Sequence, residues 1–494
     1  MLGVPAGVSS NEHQTVSNNA VEANAMGSQG SNQAAQYGAT VTGALTSVNN
    51  QQTHQQGNVQ AAASAPTLGI TAVTSSTGGQ LTIGGNRVQA RADGTQGDNA
   101  AAVQAANTLS STAATVSNNQ THTAGNVSAA AGTTLLGRSV PLSSGESLTI
   151  NGNAVNADAT GAGVTNAAAL TGATLTGGTA AVANTQSHQS GNVSGSATVG
   201  TLGTQGAISN NGSLTISGNA VGSSAQGAWA VNEAAARSGN ASGGTSATVT
   251  NSQAHIAGDA TALTTVTRVG SATGLSTGET LVVNGNQLTA QAGSQRADNQ
   301  ATLDAASALT GGGAFVSNFQ THDGGNVSAQ VSGAGNAQTL VGAGGSAAGG
   351  TVQVSGNAAA ANADVNLATN GVTFKSGNSL SSTTPASLSN IQSSSSGTAS
   401  ALVGVDYGIS GIRSLGNTAV VSNNNSQSAA SQNQAGNTLT VQAANALSTV
   451  TPTLNNDQQS GGSTTARRPR SCACAPNSPD STSSTSARIA AHRS

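Results

Sequence analysis

The chain has 494 residues, a formal net charge of −3, 65 glycines and few aromatic side chains (one Trp, two Tyr and three Phe). Its hydrophobic 36% is mostly Ala and Val, so the large side chains that fill a thick core are missing. This composition argues against a set of ordinary globular domains and leaves a disordered low-complexity chain or a thin repetitive β structure. Charged residues make up 6% of the chain, which is few titratable groups for an enzyme.

The charges are unevenly distributed. Five of the 13 basic residues lie in residues 467–494, whereas residues 1–466 have eight basic and 15 acidic residues. Because a nucleic-acid binder needs a basic stripe, we expect no nucleic acid as a partner. Low charge with many amides and β-branched residues favours self-pairing β structure over disorder.

Residues 1–40 are predicted to form an irregular or degenerate N-terminal segment. The start, Met1-Leu-Gly-Val-Pro-Ala-Gly, has neither the basic beginning nor the apolar stretch of a secretory signal. If the protein is exported, we expect that its signal is missing from this chain or that the start codon is misassigned.

Residues 41–400 contain a repeat. Five histidines separated by 68, 66, 67 and 67 residues lie in one pattern, Val-x-Asn-x-Gln-x-His-x-x-Gly-Asn/Asp, and a sixth copy has Ser394 in place of His. We interpret this region as five to six modules of about 67 residues. The predicted ladder residues of the first motif are Asn50, Gln52, His54, Asn118, Gln120, His122, Asn184, Gln186, His188, Asn251, Gln253, His255, Asn318, Gln320 and His322.

A second motif keeps the same spacing. It consists of two apolar residues in alternation, then Gly-Asn, then a second Asn thirteen residues after the first. Its copies begin at Asn86, Asn153, Asn219, Asn286 and Asn357, and the paired residues are Asn99, Asn166, Asn232, Asn299 and Asn370.

These patterns predict β-strands. Residues at i, i+2, i+4 and i+6 share one face of a strand, whereas a helix would scatter them, and Gly-Asn marks a turn. We therefore expect an all-β, repetitive parallel β-solenoid in which inward Asn and Gln form ladders between coils. Coils of about 20–25 residues would give three per module, roughly twenty coils and a rod near 100 Å. The alternative is a subunit that assembles into a cross-β fibre.

The sequence indicates no reaction centre. Three coils per module would separate successive histidines by about 14 Å, too far to share an ion, so we expect no metal site. The acidic residues are scattered, so we expect no catalytic residues and no cofactor.

The C-terminal part changes character. Residues 401–466 are predicted to be a degenerate repeat or cap. Residues 467–494 form a basic tail with Pro and both cysteines, Cys472 and Cys474, which is either an out-of-frame end of the coding sequence or a basic anchor. Two thiols in such a tail form no complete site.

The Asn-x-Gln-x-His-x-x-Gly-Asn-Val copies resemble the strand–turn units of curlin-type surface fibres. Across the body, the Ala/Thr/Asn/Gly repeats are similar to bacterial surface adhesins, and among these to the holdfast attachment family of stalked alphaproteobacteria (its D member). The resemblance implies an outer-membrane-associated protein that anchors an adhesive polysaccharide and is exported with curli-like partners.

The expected function is therefore a non-enzymatic cell-surface adhesin or anchor that attaches an adhesive polysaccharide to the bacterial outer membrane. The alternative is a self-assembling, curli-like fibre subunit of the extracellular matrix. Expected partners are the polysaccharide, outer-membrane attachment or secretion proteins of curli-like type, and further copies of the chain. The expected location is the cell surface, either outer-membrane-associated or extracellular.

Overall fold

The computed structural model describes residues 2–4, 13–70, 78–273, 275, 278–344, 350–384, 386–409 and 418–467. In these ranges the chain forms 34 β-strands and one short 3-10 helix, Ala334–Asn336. Every pairing between the described strands is parallel, as for β9 (Ala113–His122) with β13 (Thr179–His188). The prediction of an all-β chain with parallel sheets is confirmed.

The strands form three sheets. The first sheet has 11 strands: β1 (Leu2–Val4), β5 (Val59–Ser64), β6 (Thr67–Ile70), β10 (Val127–Arg138), β14 (Val193–Thr204), β17 (Ala260–Ser271), β21 (Val327–Ser332), β22 (Thr339–Ala343), β27 (Thr398–Val403), β28 (Val405–Ile409) and β34 (Ser463–Arg467). The second sheet has seven strands: β2 (His13–Ser17), β7 (Gln80–Gly84), β11 (Ser147–Asn151), β15 (Ser213–Ser217), β18 (Thr280–Asn284), β23 (Thr351–Ser355) and β29 (Thr418–Ser422). The third sheet has 16 strands: β3 (Ala20–Thr42), β4 (Leu45–His54), β8 (Arg87–Ser110), β9, β12 (Ala154–Thr176), β13, β16 (Ala220–His255), β19 (Gln287–Ala305), β20 (Ala308–His322), β24 (Ala358–Ser376), β25 (Ser379–Ser381), β26 (Ser387–Ser394), β30 (Asn425–Ser431), β31 (Gln434–Ala443), β32 (Ala446–Ser448) and β33 (Thr453–Ser460).

Paired residues in neighbouring strands are about one repeat apart in the sequence. Val116 in β9 pairs with Val48 of β4 and with Val182 of β13. The chain therefore passes through the three sheets before it returns to the next strand of the same sheet. We call one such passage a layer.

This stacking corrects the predicted number of coils. The predicted number of coils in each repeat is three, whereas consecutive copies of a motif lie in adjacent layers of the structure. The seven strands of the second sheet extend about 29 Å along the stacking direction at ~4.8 Å per step, rather than about 100 Å. Gly161 and Gly163, between the two Asn residues of the second motif, lie within β12, a strand of 23 residues in which the alternation of buried and less buried residues is interrupted at residues 161–164.

The buried apolar side chains of the described residues form two separate cores. The first contains side chains from the first and second sheets and from the beginning of each long third-sheet strand, among them Ile83, Val88 and Leu136. The second contains the later part of the long strand and the strand that follows it, including Leu109 and Val116. Both cores continue from layer to layer, so small side chains are covered by their neighbours above and below.

A polar band separates the two cores. In β8, Ala92 belongs to the first core and Ala101 to the second, and the side chain of Asn99 is buried between them. The following strand, β9, crosses the same gap with its Asn, Gln and His residues buried. The fold therefore brings both sequence motifs to one internal band.

The regular pairing includes part of residues 1–40, the segment predicted to be irregular or degenerate. Strand β3 pairs in register with β8, and its Asn32 lies opposite Asn99. Residues 20–40 are therefore strand, because Asn32 stands at the position of the second Asn of the second motif. Of the predicted C-terminal tail, only residue 467 lies within the described residues, so Cys472 and Cys474 are outside them.

Candidate functional site

The five predicted histidines form one stacked column. Ring centroids of successive histidines are 4.7–4.9 Å apart, with interplanar angles of 5–9°. The expected separation of about 14 Å was wrong, because successive copies of the motif lie in adjacent layers. Parallel strands in register place equivalent side chains one strand spacing apart, which is the observed distance.

Each imidazole is held by the turn that follows its strand. The Nε2 atom of His188 lies 2.8 Å from the carbonyl oxygen of Gly191, and the equivalent distances at the other four histidines are 2.8–3.2 Å. A carbonyl oxygen can only accept, so Nε2 carries the proton and Nδ1 is left as an acceptor. The buried Nδ1 atoms of four rings have no hydrogen-bond partner among the described residues, namely those of His122, His188, His255 and His322.

Burial makes these rings poor bases. It lowers the pKa of His188 to about 3, and the neighbouring imidazoles of His255 and His122 lower it further in the same direction. Burial also lowers the pKa of His255 to about 4, and it lowers the pKa values of His122 and His322. The rings of His122, His188, His255 and His322 are therefore neutral at pH 7, and each can donate from Nε2 and accept at Nδ1.

Two amide ladders run beside the histidine column. In the Asn ladder each Nδ2 donates to the Oδ1 of the next layer, as Asn118 does to Asn184 at 2.8 Å. In the Gln ladder each Nε2 donates to the Oε1 of the preceding layer, as Gln186 does to Gln120 at 2.8 Å. The side-chain dipoles of the two ladders therefore point in opposite directions along the stack.

The predicted members of these ladders occur at equivalent positions in successive layers. Through most layers they are buried, with the His residues beside them. The Asn ladder is Asn50, Asn118, Asn184, Asn251 and Asn318 and continues to Asn390 and Asn456. The Gln ladder is Gln52, Gln120, Gln186, Gln253 and Gln320 and continues to Gln392 and Gln458.

A third ladder, absent from the predicted set, comes from the second motif. Asn166 donates to Asn232 of the next layer at 2.8 Å and to Asn184 of the first ladder at 3.3 Å. The thirteen-residue spacing of the second motif was the signal for this ladder. It could not be assigned to the same site from the sequence, because the two motifs approach each other only through the fold of the layer.

A fourth ladder lines the turn after each second-sheet strand. The Oδ1 of Asn219 accepts from both the backbone N–H and the Nδ2 of Asn153, at 3.0 and 2.8 Å. The Nδ2 of Asn219 also donates to the carbonyl oxygen of Ile150 at 3.0 Å. Each side chain therefore satisfies backbone groups of the turn as well as its neighbour.

The band offers structure rather than a binding cavity. Its amides donate to each other or to backbone carbonyls, and the described residues contain no group of three or more His, Cys, Asp or Glu placed to hold a metal ion. Another buried polar contact is an ion pair between Arg138 and Glu146 at 2.6 Å, inside the first core.

Three carboxylates of the third sheet have raised pKa values. Burial raises the pKa values of Asp93, Asp158 and Asp364, while the positive charge of Arg91 opposes this effect at the first two. Arg91 Nε also lies 2.7 Å from Asp93 Oδ2. Register pairing places Arg91 opposite Asp158, so the sheet gathers charges that are scattered in the sequence.

Comparisons with known proteins return no matching family model, no similar curated protein and no similar solved structure. Within the part of the chain that the structure describes, no helix has the length and apolar character needed to cross a membrane.

Proposed function

We propose that this chain is a parallel β-solenoid with coils of about 67 residues that acts as a non-enzymatic cell-surface adhesin. In this role it anchors an adhesive polysaccharide to the bacterial outer membrane. The observation that supports the proposal is the contrast between the inner and outer rows of the third sheet. The inward Asn and Gln side chains of successive layers hydrogen-bond to each other. The outward residues at one equivalent position of successive layers form a row of uncharged side chains at the layer spacing: Asn49, Ser117, Ala183, Thr250, Ser317 and Ser389.

Such rows suit a weak, repeated interaction. Hydroxyl and amide groups can donate to and accept from sugar hydroxyls, and many equivalent contacts along one polymer raise the overall affinity without a deep pocket. The proposed location is the cell surface, outer-membrane-associated or extracellular. The proposed protein partners are attachment or secretion proteins of curli-like type.

Gene deletion tests the anchor role. We expect cells without the protein to make the adhesive polymer but to shed it into the medium, as measured by lectin staining of cells and supernatant together with a surface-attachment assay. Complementation with the wild-type chain should restore attachment. Normal attachment of the deletion strain would contradict the proposal.

A second candidate is a self-assembling fibre subunit of the extracellular matrix. The strands β33 and β34 in the last described layer are exposed along their whole length. The two ends of each ladder have complementary groups. The Asn ladder begins with the Oδ1 of Asn50 and ends with the Nδ2 of Asn456. The Gln ladder begins with the Nε2 of Gln52 and ends with the Oε1 of Gln458. Unpaired strand edges of this kind can pair with a second copy of the chain, and a head-to-tail contact continues into a filament.

Particle mass and the growth of filaments from added seeds distinguish the anchor from the fibre subunit. Purified protein that elongates thioflavin-positive filaments from added seeds would support the fibre. A particle whose mass stays that of one chain over a hundredfold concentration range, measured by light scattering, would count against it and leave the anchor.

A further inference from the structure

One groove interrupts the outer face of the third sheet. It encloses about 280 Å³ between strands β12 and β24 and crosses β16 and β19. Beside Ala290 and Ala360, its lining includes amides, hydroxyls and a single carboxylate: Asn156, Asp158, Ser224, Thr289, Gln291 and Asn362. A volume of this size is at the lower limit of small-ligand sites and fits one unit of a longer chain.

Gly222 creates the groove. Gly222 pairs with Asn156 in the strand on one side and with Thr289 in the strand on the other. At the equivalent position of earlier layers the residues are Glu22 and Gln89, which have longer polar side chains. A Cβ at Gly222 would lie 2.9 Å from Thr289 Oγ1 and 3.2 Å from Asn156 Oδ1. Two polar oxygens therefore flank an open stretch of backbone.

The next row supplies groups that match a sugar. Asp158, Ser224, Gln291 and Asn362 pair across four consecutive strands, so a carboxylate, a hydroxyl and two amides line one side of the groove. A carboxylate accepts from two neighbouring hydroxyls, and amide and hydroxyl groups both donate and accept. Arg91 lies opposite Asp158 on the side away from Ser224 and balances its charge.

We propose that this groove binds one sugar unit of a linear, uncharged polysaccharide, with Asn156, Asp158, Thr289 and Gln291 as its hydrogen-bonding groups. The alternation of donors and acceptors and the near-neutral charge select an uncharged polyol over a phosphate or a uronic acid. The groove runs along the stacking direction, so the polymer continues over the outer rows of neighbouring layers. This inference rests on the proposed anchor role and assigns to it a place on the molecule.

Filling the groove tests the inference. The Gly222→Ala variant puts a methyl group into the gap, and its backbone is not in the left-handed region, so the fold should be retained. The matched control is Gly243→Ala on the same strand, where a Cβ would make ordinary contacts of 3.6 and 3.8 Å with Thr310. A Cβ 2.9 Å from Thr289 Oγ1 requires that side chain to move, so circular dichroism and thermal unfolding of both variants check that the fold is retained.

Titration calorimetry with cellohexaose and chitohexaose as neutral probes, and a pectic hexagalacturonate as the acidic one, measures the binding. We expect saturable binding of at least one neutral probe, weakened about tenfold or more by Gly222→Ala and within about twofold of wild type for Gly243→Ala. Binding of neither neutral probe, equal binding by both variants, or a preference for hexagalacturonate would overturn the inference.

The cellular assay separates this inference from the anchor role. If a strain expressing Gly222→Ala retains its polymer while the deletion strain sheds it, the chain is an anchor but the groove is not its binding site. If the deletion strain itself attaches normally, the anchor role fails regardless of what the groove binds in solution.

Discussion

Asparagine has two different roles at the residue scale. In the ladder of the polar band, Asn166 is fully buried, donates to two amides and accepts from Asn99. In the turn after each His strand, the side chain of Asn126 is exposed and accepts from the backbone N–H of Asn192 at 2.9 Å. The repeat has an aspartate at this second kind of position, Asp259, which accepts from the backbone N–H of Asn326 at 2.7 Å.

The effect of an asparagine-to-aspartate substitution on the free energy of unfolding should therefore depend on the position. Asn166→Asp removes both donors and places a carboxylate beside buried Oδ1 acceptors, so we expect a loss of roughly 3 kcal/mol or more in the free energy of unfolding. Asn126→Asp keeps the acceptor and should change the free energy of unfolding by less than about 0.5 kcal/mol. Urea denaturation followed by circular dichroism measures both, and equal losses would refute the distinction.

Glycine is required where the turns stack. Gly191 has φ of 99°, and a Cβ there would collide with the carbonyl group of Gly125 in the adjacent layer. Gly191→Ala should therefore destabilise the chain by roughly 2 kcal/mol or more, from backbone strain and from separation of the layers. Gly132→Ala is the control, because its Cβ would have only ordinary contacts with Thr198. Comparable urea midpoints for the two variants would disagree with this account.

At the scale of elements, the histidine column joins five strands through stacked imidazole rings. The pKa values of His188 and His255 in the folded chain, about 3 and about 4, lie below the ordinary value of 6.5. The unfolded chain therefore binds protons first as the pH falls. The contribution of His188 and His255 to stability is full above about pH 6.5 and decreases as the pH falls toward 4.

The pH dependence of unfolding tests this. Between pH 6.5 and 4, we expect His255 alone to account for a loss of roughly 3 kcal/mol. His255→Gln should flatten the dependence of the urea midpoint on pH. A midpoint that stays constant from pH 7 to pH 4 in the wild type would contradict the proposed neutral stack.

At the scale of the whole molecule, stability arises from equivalent contacts between adjacent layers. The described chain resembles a one-dimensional array, in which each layer contacts mainly the layers on either side. The fourth ladder illustrates this, since Asn86 donates to Asn153 and Asn153 to Asn219, each at 2.8–2.9 Å. Any layer can therefore be removed if its neighbours retain matching edges.

Deletion of residues 153–218 should give a folded protein. It removes one layer and leaves Gly152 followed by Asn219, so that Asn86 faces Asn219 in the ladder. We expect an unchanged β-sheet circular dichroism per residue and a stack shorter by about 4.8 Å in X-ray scattering. Deletion of residues 153–185, about half a layer, should abolish folding, because no motif then lies opposite its equivalent in the adjacent layer. If this half-layer variant folds, the layer is not the structural unit of the stack.

The periodic spacing of Asn50, Gln52 and His54 and of their later copies was sufficient to predict strands, inward amides and parallel self-pairing. Strand periodicity and spacing between copies are local properties of the sequence, so they can be read without a structure. Small side chains throughout the repeat likewise predicted an interior that only neighbouring layers can cover.

The path of the chain between motifs depends on three-dimensional packing. The spacing of the copies does not fix the number of coils in each repeat, and the parallel pairing of each motif copy with the next one decides it. That pairing brings the histidines to 4.7–4.9 Å and joins the two motifs in one band. It also places Gly222 between Asn156 and Thr289, a contact between residues far apart in the chain that only the register of stacked strands creates.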